Sequence, residues 1–480
     1  MVGKESKMKN KFIRKWLVIL TVAAMMIPAG IPANAETVEE GENIAPTAGI
    51  SAETPNVTAE TQKEEISAEM PDMTAETQNE EKSDVQAEGQ NQAKQGVLEA
   101  VRQNTEKAEE ASDAVDVQAE ERTAGEVQIG EQIYPTLTEA FAAAKDGDVL
   151  RLLENAEVSQ PILLTKNVTL DTNGFTVSAA AGFKGNFMFT NRGTFNIVGS
   201  GKIDGSVGTY PLIMINNTGG AVLNIQSSEI TGQGVVQNVG GIVNITGGTL
   251  TASARNTVLS QFGEVHIGAS AHLMAAGEGK SAVQLIGAKM TLSGDAVLSG
   301  NGGIDVFNSN RNEEGTVSAQ VEITGGRIET KDFPVSGNNQ ESAGAEVAIT
   351  GGSLKNISGG TAIYWPMEGQ LTIGGNAVIE GGTGIEAKMG TITIKDNAVI
   401  TGSGEWKEEK PQNGGANPEG SAFLGSAQMY DGCINDSSLV VNILGGTLKS
   451  VNGNAVTIYN TEEKSDVRAD ISVTGGSLQP

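Results

Sequence analysis

From about Gly125 onward, short runs that alternate apolar and polar residues recur along the chain. Each is followed by a glycine-containing turn and a second apolar position. The lines GTFNIVGSGKI, AVLNIQSSEI, GIVNITGGTL, GEVHIGASAHL, AKMTLSGDAVL, AQVEITGGRI, AEVAITGGSL, GQLTIGGNAVI, GTITIKDNAVI, LVVNILGGTL and ADISVTGGSL share this pattern. Their anchors are Ile197, Ile225, Ile245, Ile267, Leu292, Ile323, Ile349, Ile373, Ile394, Ile443 and Val473, spaced 28, 20, 22, 25, 31, 26, 24, 21, 49 and 30 residues apart. Alternation with period two is a strand signal, because successive side chains on a strand point to opposite faces. Repetition every 20 to 50 residues signals a solenoid or an array. Leucine-rich repeats would need an L-x-x-L-x-L pattern and an asparagine ladder, neither of which is read here. A constant strand core with variable spacing predicts a parallel β-helix, all-β, with the aliphatic anchors stacked inside. Eleven coils at about 4.8 Å each would make a rod roughly 50–60 Å long.

Before the repeats, YPTLTEAFAAAKDGD places Leu137, Ala140, Phe141 and Ala144 at helical spacing. Thr136 stands as N-cap with Glu139 three residues on, a capping box, and Gly147 is expected to end the helix. This short helix would cover the open N-terminal edge of the solenoid. Val149–Leu153, Pro161–Thr165 and Asn167–Asp171 read as the first strands. At the other end the chain stops at Leu478-Gln479-Pro480, partway through a coil, so that further coils or an anchoring signal are expected to follow.

The first 125 residues are of two other kinds. Residues 1–35 combine a basic start (Lys4, Lys7, Lys9, Lys11, Arg14, Lys15), the apolar run Trp16–Met26, Pro28 and Pro32, and the small-x-small ending Ala33-Asn34-Ala35. That is the grammar of a secretory signal peptide. The apolar run is shorter than the roughly 20 residues a membrane span needs, and no cysteine near the cleavage point offers a lipid attachment. Residues 36–125 hold 23 acidic and 6 basic residues and no aromatic, and Ile50–Glu65 recurs as Ile66–Glu81. Such a stretch buries too little apolar surface to offset its chain entropy, so a disordered acidic segment is expected. It reads either as a spacer from a surface or as a solubilising tail.

Charge and rare residues narrow the function. The 480-residue chain has a formal net charge of −27, one cysteine and two histidines. Nucleic acid calls for a basic face, so it is not an expected partner. A single cysteine, Cys433, excludes an intrachain disulfide framework and a cysteine-rich zinc site. It reads as a lone thiol in a loop.

The segment IYPTLTEAFAAAKDGDVLRLLENAEVSQPILLTKNVTLDTNGFTV and the run Gly360–Gly404 carry a resemblance. They are similar to pectin-lyase-like right-handed parallel β-helix proteins, above all to surface members exported by Gram-positive gut bacteria. The resemblance covers residues 126–480. It implies a right-handed β-helix and export, and it leaves lyase, hydrolase, adhesin and binding module open. The Asn-Thr-Asp, Asp-Asp, Gly-His-Gly and Arg-Ile-Lys elements of the polygalacturonase-like members are absent from this sequence.

The remaining chemistry is sparse. His266 and His272 fall at polar, outward strand positions and read as solvated face residues. Asp204, Asp295, Asp305, Glu322, Glu346 and Asp396 are the scattered acids, with Glu322 and Glu346 two register positions apart in neighbouring coils. Arg255, Lys289, Arg327 and Lys388 are the scattered bases. Lyase-like chemistry would need Ca²⁺ held by such acids beside a base, and no cofactor is otherwise expected. Gly300–Asp305 (GNGGID) resembles one Ca²⁺-binding nonapeptide but lacks a tandem neighbour, so it reads as a turn.

The aromatic signal is stronger. Beyond the signal segment the only tryptophans are Trp365, beside Tyr364, and Trp406, which opens the longest inter-anchor segment, Gly402–Ser438, where Tyr430 and Cys433 also lie. An aromatic face with a polar rim holds a sugar ring by CH stacking and hydroxyl bonding. The expected ligand-binding set is therefore Tyr364, Trp365, Glu368, Glu386, Lys388, Trp406 and Tyr430. The alternative is that Tyr364 and Trp365 pack beneath the insertion.

The leading expectation is a cell-surface, adhesin-like and non-catalytic monomer that binds polysaccharide or a host or cell-wall glycoprotein. Polysaccharide lyase or glycoside hydrolase is the alternative, and a structural rod is a third reading. An enzyme would gather two or more carboxylates and a base in one groove. A binding module would expose Trp365 or Trp406, and a rod would bury both.

Overall fold

The computed structural model describes residues 125–480 except 207–208, 310–316, 338–343, 407–415, 418, 428–437 and 461–467. The expected signal and acidic segments, up to residue 124, and Tyr430 and Cys433 thus lie outside the described residues. Within them the chain winds through three sheets of 15, 13 and 12 strands, visiting each in turn on every coil. Neighbouring strands are parallel throughout, apart from two at the N-terminal edge. The fold is a parallel β-helix.

The register of the first sheet follows the sequence repeat residue by residue. Ile197, Ile225, Ile245, Ile267, Leu292 and Ile323 are direct partners in succession. Ile349, Ile373, Ile394, Ile443 and Val473 continue the column. All but Val473 are at most 1% exposed, each worth about 1.5–3 kcal/mol of burial. Because Ile394 and Ile443 are neighbours, the 49-residue step is one coil. The chain makes Val399–Gly402 in the second sheet, leaves on an excursion, and returns as Phe423–Ala427 in the third.

The turn between the first and second sheets explains the Gly-Gly of ITGGSL. At Gly351 a Cβ would come 2.3 Å from the Thr324 carbonyl oxygen of the preceding coil, and Gly352 has φ +81°. The first glycine is required by the close approach of backbone and the second by the left-handed conformation. The spacing of these turns fixes where the following apolar residue enters the second sheet.

The N-terminal cover is built largely as its sequence predicts. The helix Leu137–Ala143 buries Leu137, Ala140 and Phe141, and the Thr136 hydroxyl accepts from the Glu139 amide at 3.2 Å. Phe141 meets Phe189 and Phe195 edge-on, at centroid distances of 5.9 and 6.1 Å. The helix stops at Ala143 rather than at Gly147. Ala144 already has ψ 147°, and Gly147, at φ +89°, turns the chain into the first sheet. A hairpin that the repeat pattern does not reveal completes the edge: Val127–Ile129 pairs antiparallel with both Gln132–Tyr134 and Val149–Leu152.

Two further corrections concern polar residues. Asparagine ladders do exist, and one of them lies inside the third sheet. Asn191 Nδ2 donates to Asn217 Oδ1 at 2.8 Å, Asn217 Nδ2 to Asn238 Oδ1 at 2.9 Å, and Asn238 Nδ2 to Ser260 Oγ at 3.0 Å. All four are fully buried. Their column continues as Leu285 and Val306, so that the interior switches from a hydrogen-bonded to an apolar stack partway along. The ladder is invisible in the repeat lines because it lies in the third sheet, whose strands precede the anchors. Secondly, GNGGID is not simply a turn. Gly302–Phe307 is a third-sheet strand on which Asp305 accepts from the Ser281 and Ser336 hydroxyls, both at 2.6 Å. Burial pushes the Asp305 carboxyl above its ordinary range against those two bonds.

Candidate functional site

Two surfaces carry the candidate chemistry. The first is on the third sheet, where outward residues stack in the order Gln284, Asp305, Ser336, Tyr364, Glu386 and Leu424. Register thus places Tyr364 directly beside Glu386. Lys388 Nζ lies over the Tyr364 ring, 5.3 Å from its centroid, and Phe333 stacks on the same ring at 5.1 Å. The structure brings together three of the residues the sequence singled out, Tyr364, Glu386 and Lys388.

The other members of that set go elsewhere. Trp365 is fully buried in the apolar core, in the same interior column as the asparagine ladder, and its indole N–H has no hydrogen-bond partner. It cannot present a face to a sugar, which corrects the expectation for that residue. The reason is parity: Tyr364 points outward, so its neighbour points inward, where Ala387 and Gly425 leave room for the indole. Trp406 is 36% exposed and lies against the backbone of Gly453. Glu368 is half-buried in the turn between the third and first sheets. Tyr430, as stated, is not among the described residues.

Nor are Glu386 and Lys388 a rim. Both are fully buried, with Lys388 Nζ 3.7 Å from Glu386 Oε1. Every residue of their strand, Thr383–Ala387, is buried, its outward side included. Part of the long excursion contributes to this cover. The Asn417 amide donates to Glu386 Oε2 at 2.7 Å, and the Glu419 amide to the Thr383 hydroxyl at 2.8 Å. Burial pushes the Glu386 carboxyl up, against the attraction of Lys388, and pushes the Lys388 amine down, against that of Glu386. The Glu419 carboxyl is also buried and pushed up by desolvation.

The second surface was not singled out from the sequence. It is a solvent-open groove of about 480 Å³ on the outer face of the first sheet. The positions one and three residues before each anchor line it. One column runs Glu264, Lys289, Gln320, Glu346 and Gln370; the other runs His266, Thr291, Glu322, Ala348 and Thr372. Val222 and Ile242 precede the first column, and Thr391 and Val440 follow it, so that the charged and amide-bearing stretch is bounded at both ends. Four strand steps at about 4.8 Å give the polar stretch a length of about 19 Å.

His266 takes an outward slot that Asn196, Asn224 and Asn244 occupy in earlier coils, and those asparagines hydrogen-bond in a chain at 2.7 and 2.8 Å. Its Nδ1 lies 2.9 Å from the Thr291 hydroxyl and its Nε2 3.5 Å from Glu264. The outward reading of His266 therefore holds, but in a groove rather than on a plain face. His272, on the second sheet, has Nε2 2.9 Å from the Ser299 hydroxyl, and burial pushes its imidazole below the usual range, with Arg327 adding to the effect. Glu322 pairs with Ala348 and Glu346 with Gln320, the two-position offset read from the sequence. One strand step and two residues of rise put their Cα atoms about 8 Å apart. Aligning the repeat lines on their anchors would have exposed both columns.

Among the described residues no group of three or more His, Cys, Asp or Glu side chains is placed to hold a metal ion. No described helix is long and apolar enough to cross a membrane. A scan against models of known families finds no match to this chain, and neither curated proteins nor solved structures yield one.

Proposed function

We propose that the protein is exported, held at a bacterial cell surface through its acidic segment as a spacer, and binds a glycan along the groove of the first sheet. The observation that carries this reading is the groove itself. It offers amides, hydroxyls, three carboxylates, a lysine and a histidine in two straight columns, at a pitch set by the sheet. A linear polymer laid across the coils would meet a new pair of polar groups at each strand. Similarity to pectin-lyase-like β-helices belongs to this proposal and supports the same use of a long sheet face.

The charge balance narrows the ligand. Glu264, Glu322 and Glu346 face a single lysine, Lys289. A uronate polymer such as pectin would bring further negative charge into the groove, so neutral or amino-sugar polymers are the favoured class. Affinity electrophoresis tests this. The chain should be retarded in gels containing a neutral or amino-sugar polysaccharide. A Gln320→Ala, Gln370→Ala double variant should run unretarded with its fold intact. Equal retardation of both would place binding elsewhere.

A second reading, glycoside hydrolysis or elimination, has one observation in its favour: Glu322, Glu346 and His266 share the groove. Inverting hydrolases keep their two carboxyl groups roughly 6.5–9.5 Å apart, a range that the Cα offset of this pair does not oppose. New oligosaccharide products on incubation would establish that reading in place of binding alone.

A further inference from the structure

The buried cluster on the third sheet holds three groups whose chemistry does not end at an ion pair. Lys388 is a primary amine, fully buried, at the end of the strand Thr383–Ala387. Asn417 is a carboxamide whose backbone amide meets this strand at Glu386. Between them stands Glu386, fully buried, with Lys388 Nζ 3.7 Å from one carboxyl oxygen and the Asn417 backbone amide 2.7 Å from the other. The Asn417 side-chain amide reaches the same carboxyl. An aromatic wall, Tyr364 backed by Phe333, flanks the amine.

We propose that the side chains of Lys388 and Asn417 become joined by an amide bond, with Glu386 carrying the proton. The Lys388 nitrogen, as neutral amine, attacks Cγ of Asn417, and a bond between Nζ and Cγ forms. The protonated Glu386 carboxyl gives its proton to Asn417 Nδ2 and takes one from Nζ. The bond between Cγ and Nδ2 then breaks and ammonia leaves. Amine and carboxamide become a secondary amide and ammonia, Glu386 ends in the protonation state in which it began, and no oxidant is consumed.

The site meets the requirements of that step. A desolvated lysine is an activated nucleophile, and burial moves Lys388 toward the neutral amine and Glu386 toward the acid. With the amine 3.7 Å from one carboxyl oxygen and Asn417 bonded to the same carboxyl through its backbone amide and its side chain, the two reacting groups are kept in proximity, which replaces a costly encounter. Glu386 Oε1 has no hydrogen-bond partner, so that this oxygen stays available to the amine. As an ion pair the same arrangement is expensive, because two desolvated charges recover their hydration only with good geometry and further bonds. As an amide the charges disappear and the excursion is fastened to the third sheet.

The test is a tryptic peptide map of the purified full-length chain, with its intact mass. The expected result is a branched peptide joining the Lys388 segment to the Asn417 segment, lighter than their sum by one ammonia, with no cleavage after Lys388. Glu386→Gln should fold, by circular dichroism, but give the two linear peptides. Recovery of unmodified linear peptides from the wild-type chain would overturn the proposal. So would loss of ammonia without a branched peptide, as succinimide formation at Asn413-Gly414 would give. Linkage in Glu386→Gln at the wild-type level would overturn the assigned proton carrier.

Discussion

Replacing Asn217 by Leu isolates what the interior asparagine ladder contributes. Asn217 accepts from Asn191 at 2.8 Å and donates to Asn238 at 2.9 Å and to the Ala221 carbonyl at 3.0 Å. Leucine has the same side-chain branching, with bulkier methyl groups, and occupies this column one coil beyond the ladder's end, at Leu285, so the column accepts its shape. The Ala221 carbonyl keeps the Ile242 amide, and Asn191 Nδ2 keeps the Val222 carbonyl. Two fully buried groups lose a partner, the second N–H of Asn191 and Oδ1 of Asn238, and the part-buried Ile242 carbonyl loses its bond from Asn217 Nδ2 at 3.2 Å. At about 1–3 kcal/mol for each buried group left unsatisfied, the variant should lose about 2–6 kcal/mol. The triple variant Asn191→Val, Asn217→Leu, Asn238→Leu removes the partners along with the ladder. It should therefore be destabilised by less than the sum of its single changes. Urea unfolding followed by far-ultraviolet circular dichroism measures both. An Asn217→Leu midpoint equal to that of the wild type, or full additivity in the triple variant, would refute the reasoning.

Other expectations follow from the same structure. Ile349 sits between Ile323 and Ile373 in the anchor column, so Ile349→Asp buries a carboxylate without a partner. It should abolish cooperative thermal unfolding, whereas Ile349→Val should cost only about 0.5–1.5 kcal/mol. Burial pushes the Asp204 carboxyl up, but bonds from Ser206, Thr231 and Lys202 outweigh this and hold it at about 2. Its folded value lies below its unfolded value of 3.8, so the stabilisation is complete above the latter and disappears as pH falls through about 2. Asp204→Asn should accordingly lower the melting temperature at pH 6 and leave it nearly unchanged at pH 2; an equal drop at both would contradict the assignment.

The fold was legible because its determinants are local and repeated. Eleven anchors, each one residue long in its information, gave the first-sheet register without a slip, since a one-residue shift would turn every anchor to solvent. Even the 49-residue step kept its partners. The N-terminal helix was legible through its cap and its apolar spacing, while the hairpin beside it has only three-residue strands and no strong turn signal. The site was harder to read. Trp365 and Tyr364 differ by one position and hence by a face, and the sequence lines alone did not say which of the pair pointed out. Glu386 and Lys388 looked like surface charges because charged residues on a strand's outer face are solvated in most settings. Part of the cover over them comes from Asn417 and Glu419, about 30 positions later, and no local pattern announces it. The groove escaped notice for a different reason: its residues are ordinary one by one and become a site only when stacked.

The most direct measurement incubates the full-length chain with neutral, amino-sugar and uronate polysaccharides. It reads both retention of the protein on each polymer and release of new oligosaccharides. The groove should retain the protein on a neutral or amino-sugar polymer, retain it weakly or not at all on uronates, and release no new products. Preference for uronates, or retention by none of the three classes, would contradict a glycan-binding groove of this charge; new products would replace binding by catalysis at Glu322, Glu346 and His266.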